Sequence, residues 1–289
     1  MNQDREQIIN RKGKREVLLQ KIKGDVEYLS FPGLEKTGLV NHLFTTRKGG
    51  VSEGIFASMN LSYTRGDERS NVDENYRRIA AVFDSTPDRV VCSDQTHTTN
   101  VRLVTDADAG KGVVREKDYT DVDGLITNVP GLILATFYAD CVPLYFVDTE
   151  NRAIGLSHSG WKGTVHGMGK ATLQAMGEAF GTRPEKVKAA IGPSICQDCY
   201  EVSSDVADQF MEAFPSHRED IIRRGKAEGK YQLDLWKANQ IVLLEAGILP
   251  ENLEITDICT CCNKNYLFSH RGSHGQRGNL GAFMELRKS

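Results

Sequence analysis

The chain has 289 residues, with 36 Lys and Arg against 39 Asp and Glu, and a formal net charge of −3. That near balance excludes the basic footprint of a nucleic-acid binder and favours a small-molecule substrate. The charged N-terminus has no signal-peptide run and no window reaches a membrane span, so a cytoplasmic protein without membrane contact is expected. Residues 1–25 are polar and read as an N-terminal arm, frayed or forming an edge element, ahead of a single catalytic domain over 26–289. From Leu39 the text becomes short apolar runs broken by turns. LVNHLFTT comes first, then RKGGVSEG with three glycines in eight positions. Val72, Tyr76, Ile79, Ala80 and Phe83 fall at helical spacing and predict a helix over about 71–83, capped by Ser70 or Asn71. Strands follow at RVVCS, NVRLV and DGLIT, then at GLILATFYAD and VPLYFVD. The last two are apolar on both faces and should be central. AIGLSHSG is a further strand that stops at Gly160. Val165, Met168, Leu173, Met176 and Phe180 then mark one helix. VKAAIGPS is another buried strand, and helices are expected over about 204–214 and 235–246. The charged HREDIIRRGKAEGK between them reads as a solvated loop. The end of the chain reads as strand, loop, strand. Without regular strand-helix alternation or a repeat, the fold class is α+β, a single domain with mixed β-sheets flanked by helices.

Three segments deliver a metal-competent side chain at or just past a strand: SDQTH with His97, FYADC with Cys141 and GLSH with His158. The gaps of 44 and 17 residues are too wide for a zinc finger but suit a site assembled from separate strands. Two imidazoles and a thiolate leave a fourth position open, as a catalytic zinc requires. The competing reading is ordinary histidines and a cysteine filling the core. The glycine loop 47–54, with Arg47 and the nearby Asn60, can face an anion through backbone N–H groups and a guanidinium fork, or be a tight hairpin. His270, Arg271, His274 and Arg277 could present anion donors or form an exposed basic turn. Of the seven cysteines, Cys92 reads as a core residue. Cys196, Cys199, Cys259 and Cys262 form two Cys-x-x-Cys pairs with Cys261 inside the second. A four-cysteine zinc site is conceivable there, although roughly 60 residues between pairs exceeds zinc-ribbon spacing. Asp121 and Asp123 read as solvated or turn-capping carboxylates, and Trp161 and Lys162 as pocket rim, with packing as the other role for the tryptophan.

TTRKGGVSEG with MNL, DQTH, DVDGLIT, ADCVPLYFVD, HSGWKGT, IGPSIC with CYEV, and the terminal SHRG occur in order from about Thr45 onward. Together they resemble the YfiH-type, laccase-domain family, once called multicopper polyphenol oxidases and now regarded as metal-dependent purine nucleoside phosphorylases. The resemblance implies a fold like the catalytic domain of cytotoxic necrotizing factor toxins. It implies zinc, with copper as the other occupant, held by His97, Cys141 and His158, which are also the catalytic residues. It further implies phosphorolysis of adenosine, inosine and methylthioadenosine, with adenosine deamination in the same pocket. Gly272 stands where the family's tail commonly has a second arginine. Substrate and phosphate contacts are expected from Arg47, Asn60, Arg271 and His42, with Asn60 and His42 as candidates to protonate the leaving purine. Purine nucleosides and phosphate are the expected partners, and a homodimer is left open. A copper polyphenol oxidase is harder to defend, because seven histidines without a His-x-His pair cannot easily build a multicopper cluster. A metal-free amidohydrolase or deamidase using Cys141 and His158, and a non-catalytic nucleoside-binding module, are the remaining readings.

Overall fold

A computed structural model describes residues 9–13 and 16–288 of the chain. In chain order the elements begin with β1 (Leu19–Lys23), β2 (Val26–Ser30), α1 (Pro32–Glu35) and β3 (Val40–Thr45). Next come α2 (Arg69–Val82), β4 (Val90–Cys92), β5 (Val101–Leu103), β6 (Gly124–Thr127) and β7 (Ile133–Tyr138). The middle holds β8 (Val142–Asp148), β9 (Ala153–Ser159), α3 (Trp161–Val165), α4 (Met168–Phe180) and β10 (Val187–Ile191). After these run β11 (Glu201–Ser203), α5 (Ser204–Ala213), α6 (Arg218–Ile221) and β12 (Ile222–Arg224). The last are β13 (Lys230–Leu233), α7 (Leu235–Glu245), β14 (Leu253–Ile255) and β15 (Leu280–Leu286).

Two six-stranded mixed sheets carry the fold. One has the order β1-β2-β3-β15-β7-β4 and the other β14-β10-β8-β9-β6-β5, with a small third sheet β11-β13-β12 beside them. Strand alternation explains how they stack. Tyr145 and Val147 of β8 join Phe44, Leu134, Tyr138 and Met284 in a core between the two sheets. Their neighbours Leu144 and Phe146 point the other way, into a core shared with Leu173 and Met176 of α4 and Leu243 of α7. On the far side of the first sheet, Leu43, Ala135 and Phe283 pack against Val72, Tyr76 and Ile79 of α2. The layers are therefore helix, sheet, sheet, helices, and both sheets need apolar residues on two faces. Each fully buried Phe or Leu contributes roughly 1.5–3 kcal/mol to that sandwich. Among the described residues, no helix is long and apolar enough to cross a membrane.

Three local expectations change. The boundary drawn between residues 25 and 26 falls in a hairpin, because β1 pairs with β2 from Leu19 opposite Ser30 to Lys23 opposite Val26. Residues 1–8, 14 and 15 of that arm lie outside the described residues. The helix expected through Val165 to Phe180 is two, since Gly167 at φ 75° leaves the right-handed region between α3 and α4. The charged segment expected as a solvated loop forms α6 and β12, anchored by the wholly buried Ile221.

Candidate active site and metal centre

The second sheet and the loops at its edge bring three donors together. Cys141 lies between β7 and β8, at a turn made by Asp140 in the left-handed region, φ 87°. That turn is tied from outside. Asp140 accepts hydrogen bonds from Thr260 Oγ1 at 2.6 Å on Oδ1 and from the Arg271 N–H at 2.7 Å on Oδ2. Its carbonyl accepts the Ile195 N–H at 3.0 Å. His158 is on β9, opposite Pro143 of β8, and is buried. His97 is exposed in the loop after β4 rather than on a strand, also at positive φ, 69°.

Asp123, directly before β6, organises both histidines. It is wholly buried, so the solvated reading is corrected; the carboxylate does cap a turn, that of Thr96–Thr98, and binds a histidine besides. Oδ1 accepts the His97 N–H at 3.1 Å and His158 Nδ1 at 2.7 Å. Oδ2 accepts the Thr96 and Thr98 N–H groups at 3.1 and 2.9 Å and Thr98 Oγ1 at 3.1 Å. Burial would push this carboxyl up, but His158 and the backbone N–H groups prevail and hold it below its ordinary value. With Nδ1 committed to Asp123, His158 presents Nε2 as its free donor.

His97, Cys141 and His158 each offer a ligand atom within 4.8 Å of the others. Cys141 Sγ is 3.9 Å from His97 Nε2, and the two imidazole centroids are 5.0 Å apart. Gly160, where β9 passes into α3, makes that approach feasible: a Cβ there would stand 2.7 Å from His97 Cδ2 and 3.2 Å from Cys141 Sγ. Burial opposes ionisation of Cys141, yet His158 and His97 bring its pKa down to about 6. Two nitrogens and a thiolate-prone sulfur suit a borderline-soft divalent cation, and three protein donors leave a position for substrate or water.

The three donors open into a cavity of ≈ 350 Å³, within the range of small-molecule sites, walled by Tyr63, Arg65, Lys117, Phe137, Arg277 and Asn279. Arg277 is only 9% exposed; its Nη1 donates to the Gly278 carbonyl and Asn279 Oδ1, and its buried Nε has no hydrogen-bond partner among the described residues. Burial and the nearby Arg65 pull its guanidinium down to about 10. The tail thus brings a guanidinium to the cavity wall at Arg277, and Arg271 is not among the residues that line it.

The other expected contacts fall elsewhere. Arg47 donates to the carbonyls of Ala57 and Lys264, both at 2.9 Å, and lies 4.5 Å over the Phe268 ring. At the centre of the glycine loop three N–H groups are spent within the protein: Gly50 on Ser58 Oγ, Val51 on Asn75 Oδ1 and Ser52 on the Ser58 carbonyl. That loop is a packed structural turn held by buried Asn75. Asn60 is also buried and engaged. It donates to the Ser62 carbonyl and Asp67 and accepts from Ser62 and Asn279, so it positions cavity residues without facing the cavity. Arg271 donates to the carbonyls of Cys199 and Glu201. Trp161, half-buried, packs against the core under the second sheet, its packing role, and does not line the cavity.

His42 is furthest from its expected role. On β3, it accepts the Phe31 N–H on Nε2 at 2.9 Å and sits between the Phe31 and Tyr145 rings. Burial pushes its pKa down to about 4, with Glu35 opposing and Lys21 and Arg287 adding to the shift. Unfolding lets it take up a proton between that value and its ordinary 6.5. Stability present above about pH 6.5 is therefore lost as pH falls toward 4, on the order of 3 kcal/mol. Urea unfolding followed from about pH 7 to pH 4 should show a steeper loss in the wild type than in His42→Gln. Parallel curves would refute the assignment.

Residues 41–287 match the model of the family described as multi-copper polyphenol oxidoreductase laccase. The chain belongs to that laccase-like family. The purine nucleoside phosphorylase YlmD of Bacillus subtilis is 35% identical, covering 85% of this chain and 88% of the relative. A purine nucleoside phosphorylase of Deinococcus radiodurans is 38% identical, covering 86% and 89%. The adenosine deaminase RL5 of an unknown prokaryotic organism is 33% identical, covering 79% and 87%. The crystal structure of Bacillus licheniformis YfiH superposes with a TM-score of 0.87 at 32% identity, over 93% of this chain and 99% of that one. The α+β architecture is thus that of the laccase-like family.

Proposed function

We propose that the chain is a zinc-dependent purine nucleoside phosphorylase acting on adenosine, inosine and methylthioadenosine, and that it also deaminates adenosine. The observation that carries this reading is one cavity lined both by an open three-donor set and by the largely buried guanidinium of Arg277. The names of the relatives support the substrate class. When bound, a divalent cation supplies Lewis acidity, polarising a substrate atom or activating water.

The chain's own residues supply binding and orientation. In phosphorolysis a phosphate oxygen forms a bond to the anomeric carbon as the bond to the purine nitrogen breaks, and the departing purine takes up a proton. Arg277, with Arg65 close by, is placed to hold the phosphate dianion through charge-assisted hydrogen bonds. Phe137 and Tyr63 offer aromatic surface to the base. Neither Asn60 nor His42 is placed to protonate the leaving purine, since the first is fully engaged and the second lies outside the cavity. Arg277→Met should raise the KM for phosphate by about 10-fold or more, with adenosine deamination little changed. An unaltered phosphate dependence would remove Arg277 from this role.

Chromatography of adenosine and inosine incubated with and without phosphate tests the reaction itself. Phosphate-dependent release of adenine and hypoxanthine is expected. Conversion of adenosine to inosine without phosphate would make deamination the primary activity, and intact nucleosides with metal-loaded protein would refute both. A second reading rests on the depressed Cys141 thiol beside His158, with Asp123 behind it, an arrangement that suits a nucleophilic cysteine. Rapid alkylation of Cys141 in metal-loaded protein, with nucleosides untouched, would favour that hydrolase.

A further inference from the structure

A second group of sulfurs lies outside the cavity. Cys196 precedes and Cys199 ends a single 3₁₀ turn, Gln197–Cys199, and Cys259 and Cys262 occupy the turn that follows β14. In sequence the two pairs are 63 residues apart. Topology removes that distance. β10 and β14 are parallel neighbours, with Ala189 opposite Leu253 and Ile191 opposite Ile255, and the pairing resumes at a bridge between Ser194 and Cys259. Both Cys-x-x-Cys turns therefore leave the same end of two adjacent strands, pointing at each other.

The four Sγ atoms all lie within 4.8 Å of one another, and Cys199 and Cys262 are 3.5 Å apart. Four sulfurs each about 2.3 Å from a central tetrahedral zinc would be separated by about 3.8 Å. A disulfide would instead draw one pair to about 2.05 Å, and four mutually close sulfurs are not the pattern of two bridges. The surroundings also suit thiolates. The N–H groups of Cys196 and Cys262 both point at Cys259 Sγ, at 3.2 and 3.4 Å. Lys12 interacts electrostatically with Cys196 and Cys262 while pairing with Asp198 at 3.1 Å, placing a positive charge beside the cluster. Cys196 and Cys259 are buried and the other two half-buried.

We propose that Cys196, Cys199, Cys259 and Cys262 form a closed, structural zinc site, distinct from the His97, Cys141 and His158 centre. All four positions are filled by protein, so the site binds no substrate; its work is to staple two loops. Those loops supply the ties of the Asp140 turn. Thr260 follows Cys259 and donates to Asp140, Ile195 precedes Cys196 and donates to the Asp140 carbonyl, and Arg271 links Asp140 to the Cys199 carbonyl. The staple thereby holds the turn that presents Cys141.

The test is metal stoichiometry in protein purified under reductant, independent of any reaction. The wild type should hold about two zinc ions per chain, and Cys141→Ala should retain one. Cobalt(II) loaded into Cys141→Ala should give the intense sulfur-to-metal absorption of a tetrahedral thiolate site. The Cys199→Ser, Cys262→Ser double variant should lose one zinc, melt at lower temperature and keep a measurable activity. Cys199 and Cys262 should resist alkylation until a chelator is added. Metal-free Cys141→Ala without thiolate absorption, or immediate alkylation of all four thiols, would overturn the proposal. So would a mass deficit of two hydrogens per cysteine pair, the signature of disulfides.

Discussion

Cys141→Ala is expected to empty the active-site centre and to lower phosphorolysis on the order of 10³-fold or more, beyond the 10–100-fold cost of losing an outer-shell partner. Alanine removes the only sulfur and the only anionic donor of the set, leaving two imidazoles whose Nε2 atoms lack a third partner. The structural cost is small by comparison. Cys141 sits in a turn that Asp140 holds by three bonds independent of the thiol, so stability should change by only about 1 kcal/mol. Elemental analysis, nucleoside turnover and a thermal melt on the same preparation separate these effects. Full turnover by metal-free Cys141→Ala would sink the metal-dependent mechanism.

The second large effect is expected at Asp123, which touches no substrate and was not among the candidate residues. Its two oxygens face donors only: His97 N–H and His158 Nδ1 on one side, and Thr96, Thr98 and the Thr98 hydroxyl on the other. In Asp123→Asn the amide nitrogen must turn a donor toward one of those groups. If it faces His158, the imidazole loses its anchor; if it faces Thr96 and Thr98, the loop carrying His97 does. Either orientation should weaken metal binding by about 10–100-fold and destabilise the fold by about 1.5–3 kcal/mol, the scale of one charged hydrogen bond. A zinc competition titration alongside urea unfolding measures both. Unchanged affinity in a stable Asp123→Asn variant would show that β9 alone orients His158.

Much of the architecture was legible because burial leaves a mark on sequence. The all-apolar runs of β7 and β8 are what central strands between two cores require, and α2 shows its buried stripe at Val72, Tyr76 and Ile79. Where periodicity failed, a local feature overrode it. Gly167 splits a helical pattern that continues across it, and the pair Ile221 and Ile222 gives a charged stretch enough apolar anchorage to fold. The three donors were legible as residue types following apolar runs. Their mutual approach was not, because it depends on Asp140 and His97 at positive φ and on the space left by Gly160.

Basic residues misled in an instructive way. Arg47 and Arg277 look alike in sequence, and Arg47 stands in the more suggestive glycine-rich context. Only the fold shows that Arg47 bonds two carbonyls away from the cavity, whereas Arg277 lines the cavity with its Nη1 donating to the Gly278 carbonyl and Asn279 Oδ1. By itself the sequence determined the α+β class and the family and singled out the three candidate donors, because apolar patterning and short motifs are local properties of the chain. Tertiary structure alone decided the contacts of Asp123, the presence of Arg277 rather than Arg47 on the cavity wall and the meeting of the two cysteine pairs. Each depends on which groups remain uncompensated, or come into reach, once strands distant in sequence lie side by side.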